Sequence, residues 1–266
     1  LDLRLSDIGS DGYIDRASSK LRSYYIQGAY YADNTSIRLI SFAGEEETYH
    51  AWNYASKEEM REYGRRYNSC GYMFTDADGK AHYYDGQTDN YVQKNWQLLI
   101  DHHFNSRLSM NVGLHYTKGD GYYREYKGNR KLVEYALQPY TIEGNTVKKS
   151  DLIRRKAMDN HFGGAIFSLN YKDERLSASL GGGANRYYGD HFGQVLWVKN
   201  YIGNIAPDHE YYRNRGAKND ANIYLKGDYH LTKSLNIYGD IQYRHIGYKI
   251  DGCNDKWNDA TGSLQR

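Results

Sequence analysis

Along RLSMNVGLHYTKG, residues 107–119, the apolar Leu108, Met110, Val112, Leu114 and Tyr116 alternate with Arg107, Ser109, Asn111, Gly113, His115 and Thr117. A period of two places the first set on one face of an extended strand and the second on the other. The segment before it behaves alike: Trp96, Leu98, Ile100, His102 and Phe104 share one face, and Gln93, Asn95, Gln97, Asp101 and His103 lie on the other. Only Asn105 and Ser106 separate the two runs, which predicts a hairpin with a tight turn. The unit recurs twice. Ala165, Phe167, Leu169 and Tyr171 lead through a turn at residues 172–174 to Leu176, Ala178 and Leu180. Ala221, Ile223, Leu225, Tyr229 and Leu231 lead through residues 232–234 to Leu235, Ile237, Ile241 and Tyr243. A further hairpin turns at Asp33 and Asn34, but it carries apolar residues on both faces, so its inward side stays open at this level.

Between the hairpins lie residues 45–90, 119–159 and 189–219, each far longer than the usual loop of about 4–6 residues. Short turns therefore alternate with long connections. Both prolines, Pro139 and Pro207, and the helix-like SKEEMREYGRRY fall in the long connections. A soluble antiparallel sandwich also alternates apolar and polar positions. Against it stand the strand length, the strict alternation of short and long connections, and bulky polar groups such as Asp101, His115, Asp228 and Arg244 on the second face. An antiparallel transmembrane β-barrel accounts for all three, with short periplasmic turns, long extracellular loops and a polar lumen. The expected fold is all-β: one barrel piece of about eight strands filling residues 1–266, in a cell outer membrane, with the bilayer as partner of its apolar face.

Composition agrees once the fold is posed. Only 39% of the 266 residues are hydrophobic and the mean hydropathy is -0.89, so a membrane-spanning helix is excluded. There are 30 Tyr against 6 Phe, and 27 Gly against 2 Pro, a mixture suited to strands that pass between apolar and wet surroundings. A formal net charge of +2 without a Lys/Arg run gives no case for nucleic acid. Cys70 and Cys253 are too few for a disulfide framework and lack zinc spacing.

Candidate chemistry is sparse. No phosphate loop, HExxH or GxSxG occurs, and no nucleophile, base and orienting acid stand out, so an enzyme is not expected and no cofactor is assigned. His102 and His103 point to opposite faces and cannot share one ion, and Asp76-Ala-Asp78-Gly79 lacks the later Glu of a calcium loop and reads as a turn. Asp251, Asn254, Asp255 and Asp259 either gather around calcium or solvate a loop. The connections are unusually aromatic. From them we take Tyr122, Tyr123, Tyr126, Asp190, His191, Trp197, His209, Tyr211 and Tyr212 as candidate ligand-binding residues, whose rings and few charges suit a metal chelate, haem, a cobalamin or a glycan.

The segments RLSDIGSDGYIDRASSKLRSYYIQGAYY, TYHAWNYASKEEMREYGRRYNSCG, LHYTKGDGYYREYK, DNHFGGAIFSLNYK and GDHFGQVLWVKNYIG resemble the barrel of TonB-dependent outer-membrane receptors of the Bacteroidetes type, over nearly the whole chain. The resemblance implies a middle stretch of a barrel of about 22 strands, closed by a plug domain that is not part of these residues. It also implies import of a scarce solute with energy relayed by TonB. The alternative is a small complete eight-stranded barrel acting as an adhesin or structural protein.

Overall fold

The computed structural model describes residues 1–207 and 209–266. Its strands are β1 (Asp2–Ser10), β2 (Ser19–Ala32), β3 (Thr35–Tyr49), β4 (Tyr72–Thr75), β5 (Ala81–Tyr83), β6 (Thr88–His103), β7 (Leu108–Lys131), β8 (Tyr140–Ile142), β9 (Asn145–Val147), β10 (Lys149–Lys172), β11 (Leu176–Val198), β12 (Glu210–Thr232), β13 (Leu235–Gly252), β14 (Trp257–Asn258) and β15 (Ser263–Leu264). Nine of them make one sheet in the order β1-β2-β3-β6-β7-β10-β11-β12-β13, and the other six form three small hairpins. Every neighbouring pair in the large sheet is antiparallel and adjacent in sequence among these nine, the up-and-down path of an outer-membrane β-barrel wall. The count is nine rather than about eight because β1, where Leu3 and Leu5 alternate with Asp2, Arg4 and Ser6 over only a short run, pairs along the whole of its length with β2.

The short turns follow from their residues. Asn105 Oδ1 accepts the backbone N–H groups of Arg107 and Leu108 at 2.9 and 3.0 Å, and Asp173 Oδ1 accepts those of Arg175 and Leu176 at 2.8 Å each. These side chains mimic a backbone turn and reverse the chain in the fewest residues. All four tight turns lie at one end of the sheet, and residues 11–18, 50–87, 132–148 and 199–209 connect strands at the other.

Register fixes the two faces. Val112 sits opposite Ile100 on β6 and Phe167 on β10, and Leu180 lies opposite Leu169 and Leu225, which in turn faces Ile241. The first hairpin, ambiguous from its residues alone, is settled by its neighbour: Ile37 pairs with Ile100 and Leu39 with Leu98, so Ile37, Leu39, Ile26 and Tyr30 join the apolar face. No protein covers this face, since Leu225 is 52% and Ile241 71% exposed. A sandwich would have buried them, so the band requires a hydrocarbon partner. It occupies about nine residues of each strand, such as 108–116 and 163–171; at a rise of ~3.3 Å and a tilt of ~40° that is about 23 Å of height, matching the ~25 Å apolar band of outer-membrane barrels. Trp96 and Tyr116 close its loop-side rim with rings 5.7 Å apart, and beyond them come Lys94, Lys118 and His161.

The other face is polar in the same span. Asp101 accepts hydrogen bonds from Ser36 at 3.0 Å and Asn111 at 2.5 Å, while Asn111 Oδ1 receives Asn170 at 2.9 Å. A hollow of 370 Å³ opens on it over Gly113 and Gly183, walled by Leu99, Ile166 and Tyr224.

The long connections are shorter than the residue pattern indicates. Most of residues 119–159 and 189–219 is strand: β7 and β10 stay paired as far as Lys131 and Lys149, and β11 pairs with β12 up to Gln194 and Glu210. Above the bilayer both faces are wet, so the apolar period disappears although the ladder continues. The helix-like stretch forms α1 (Lys57–Tyr63), with a reciprocal capping box in which Ser56 Oγ accepts the Glu59 N–H and the Glu59 carboxylate accepts that of Ser56.

Candidate functional site

The buried core lies in the loop-side cap, not in the sheet between its faces. Leu132, Tyr135, Leu137, Leu152, Val195, Val198, Tyr211 and Tyr212 pack together, with Cys253 and Leu264 of the last segment against them. Beside this cluster runs an alternating chain of charges. Lys127 Nζ lies 2.9 Å from Glu125, Arg154 donates to Glu125 Oε2 through Nε and Nη2 at 2.9 and 2.8 Å, and Lys156 Nζ reaches Asp255 at 2.8 Å. Burial opposes the Asp255 charge, but the ammonium of Lys156 and the guanidinium of Arg154 outweigh it and hold the carboxyl below its ordinary pKa.

Two inward rows of the ladder cross beneath this cap. One runs Glu46, Tyr91, Gly121, Met158, His191; the next runs Thr48, Asp89, Tyr123, Lys156, Gly193, Tyr212. Together they line an open-sided cavity of 510 Å³. Glycine makes the room: a Cβ on Gly121 would strike the Tyr91 ring, and one on Gly193 the rings of Tyr211 and Tyr212. The rings of Tyr91 and Tyr212 occupy the space over these glycines on the neighbouring strands and give the wall its aromatic lining. Lys156 Nζ stands 5.6 Å from the Tyr123 ring centre and 5.8 Å from that of Tyr212, a double cation–π arrangement. The cavity rows lie five and seven residues beyond the Tyr116 rim, hence roughly 13–18 Å above the hydrocarbon.

This is the wall of a β-barrel of the outer-membrane fold. The chain superposes on the ferric-catecholate import receptor Fiu of Escherichia coli K12 in its open form (TM-score 0.63, 12% identity, 99% of this chain and 43% of that one). It likewise matches the ferripyoverdine receptor of the outer membrane of Pseudomonas aeruginosa (0.59, 11%, 95% and 33%) and BauA, the ferric preacinetobactin receptor of Acinetobacter baumannii (0.56, 10%, 94% and 37%). The chain thus spans 43% or less of the length of each of these receptors. No family model matches the chain, and no curated protein is similar to it in sequence.

The candidate residues divide by register. Tyr123, His191 and Tyr212 come together in the cavity. Tyr211 is buried in the cap with its ring 4.8 Å from Tyr135, and His209 Nε2 lies 2.9 Å from the Tyr135 carbonyl. Tyr122, Tyr126, Asp190 and Trp197 stem from the outward register. Tyr122 nevertheless reaches the cavity rim, Asp190 is bound by Arg213 and Arg215 at 2.8 and 2.7 Å, and the Tyr126 N–H donates to Gln87 Oε1 at 2.9 Å. Glu46, Asp89, Tyr91, Lys156 and Met158 escaped the reading of the residues because they sit where strand was taken for loop or on the partner strand. No hydropathic signal marks them, because both faces of the ladder are wet at this height.

The remaining motifs find structural roles. Asp76 Oδ1 accepts the N–H groups of Asp78 and Lys80 at 3.1 and 2.8 Å and Oδ2 meets His82 Nε2 at 2.7 Å, so the carboxylate closes the β4–β5 hairpin, and the His82 ring foremost holds its pKa low. Asp255 and Asp259 do not gather: the second pairs with Lys131 at 2.8 Å. Cys70 and Cys253 are both free thiols. His102 and His103 take opposite faces, His102 Nδ1 meeting Thr35 Oγ1 at 2.8 Å. A residue not anticipated is His50, 3% exposed, stacked on Trp52 with ring centres 3.7 Å apart and edge-on to Tyr123. Burial drives its imidazole pKa down to about 4.

Proposed function

We propose that this chain is part of the barrel wall of a TonB-dependent outer-membrane receptor, of the Bacteroidetes type its segments resemble, and that the receptor imports a scarce ferric chelate. The observation that carries this is the tyrosine-lined cavity on the inner face of a barrel wall, beneath the loop-side cap, where a solute arriving from outside meets the lumen. Three receptors that share the fold are named for ferric ligands, which favours an iron chelate over haem, a cobalamin or a glycan. Tyr123, His191 and Tyr212 contact the chelate from the wall. A plug domain fills the lumen beside the inward hollow over Gly113 and Gly183, and TonB supplies the energy for release inward. The protein acts as a transporter and not as an enzyme. The adhesin alternative needs a closed barrel of these strands, and among the described residues β1 and β13 are not paired with each other.

Growth of a deletion strain under iron limitation, with uptake of labelled ferric chelates, tests the proposal. The Tyr123→Ala, Tyr212→Ala double variant should lose uptake of the chelate that supports growth while assembling normally. Unchanged uptake of every chelate in the deletion strain refutes it. Tyr211 is left intact in this test because it packs inside the cap and its loss would confound binding with folding.

A further inference from the structure

Resting on the reading of the chain as a chelate receptor wall, we propose that the cavity selects a ligand carrying positive charge, such as a chelate with a protonated amine, and rejects polyanionic chelates. The cationic groups beside the cavity are already neutralised. Lys127, Glu125, Arg154, Asp255 and Lys156 form a paired chain, and the one ammonium lining the cavity, that of Lys156, is held by Asp255 at 2.8 Å. Two carboxylates remain. Glu46 and Asp89 both line the cavity, and among the described residues neither is paired with a cation; the Asp89 carboxyl meets the Asn90 backbone N–H, and burial raises its pKa. Register places them around one tyrosine: Glu46 is directly opposite Tyr91, and Asp89 is two residues from Tyr91 on the same face and opposite Tyr123.

An incoming cation thus meets two carboxylates without a paired cation and the ring of Tyr91, which lies over Gly119 and Gly121. The same wall shows that it accommodates a cation in such a setting, because Lys156 sits between the Tyr123 and Tyr212 rings. A ligand with several negative charges finds its possible counter-ion, Lys156, already engaged and would have to displace Asp255 to use it. Repulsion from Glu46 and Asp89 in a partly enclosed site adds to that cost.

The test uses the full-length polypeptide containing this chain, in outer-membrane vesicles, with three probes: ferrioxamine B, a cationic ferric trihydroxamate; its N-acetylated, neutral derivative; and ferric enterobactin, a polyanionic tris-catecholate. The cationic probe should bind about tenfold more tightly than the neutral one, and the preference should shrink in Glu46→Gln and in Asp89→Asn and vanish in the double variant. Raising the salt concentration should weaken only the cationic probe. Binding of the tris-catecholate in preference to ferrioxamine B overturns this inference while leaving chelate import standing. A preference for the cation that survives in the double variant also overturns it. Failure of all three probes to bind overturns the chelate reading and the inference together.

Discussion

Arginine placed at Val112 should destabilise the inserted sheet by about 2–4 kcal/mol, the cost of a charged side chain on the lipid face near mid-depth. The depth follows from the structure. Val112 lies midway along the apolar run between Leu108 and Tyr116, four residues from either end, hence about 10 Å from each interface at a rise of ~3.3 Å and a tilt of ~40°. Its lateral neighbours Ile100 and Phe167 are apolar, so no acidic group on the flanking strands is placed to pair with the new charge. The penalty should fall stepwise for Leu114→Arg and nearly vanish for Tyr116→Arg, whose side chain snorkels into the belt of Lys118, Asp120 and Asp159. Ser109→Arg, on the wet face of the same strand, should cost less than Val112→Arg. The assay is the fraction of the full-length polypeptide in outer membranes that resists urea extraction and keeps the heat-modifiable mobility of a folded barrel. Equal losses at Val112 and Ser109, or a loss that grows from Val112 to Tyr116, would refute the assignment of faces.

Removing Glu125, whose side chain is 5% exposed, strips the buried Arg154 of its hydrogen-bonded carboxylate and leaves it only the 3.9 Å contact with Asp255, which Lys156 shares, so Glu125→Gln should loosen the cap by up to roughly 3–5 kcal/mol, seen as protease cleavage within residues 132–148 and 199–207 at temperatures the parent resists. His50 is buried neutral with a pKa of about 4 against an ordinary 6.5, so its stabilisation of the 50–87 connection is complete above pH 6.5 and lost as pH falls toward 4, by about 3 kcal/mol in all. In a protein whose only tryptophan is Trp52, fluorescence should report that acid transition, and it should be absent in His50→Leu; a profile unchanged by that substitution would count against the reading. The 266-residue chain alone, with β1 and β13 presenting unpaired edges, should self-associate in detergent, and a monodisperse monomer in sedimentation would contradict the open-sheet topology.

The residues alone determined the strands at the membrane. Leu108 to Tyr116 alternate because lipid and water act on one backbone at a period of two, and Asn105 and Asp173 turn the chain through hydrogen bonds to residues two and three ahead. Such causes are local, so they are written in consecutive positions. Above the bilayer the two solvents become one, the apolar period lapses, and β7 and β10 continue to Lys131 and Lys149 with nothing in their hydropathy to announce it. Only pairing between distant strands decided the rest. The face of the first hairpin was set by Ile37 meeting Ile100. Tyr91 lies over Gly121, and Arg154 meets Glu125, because register makes neighbours of residues about thirty positions apart. Tyr123 and Tyr122 are adjacent in the chain, yet one stems from the cavity face and the other from the outward face, a distinction that follows from the two-residue period once the sheet is in place.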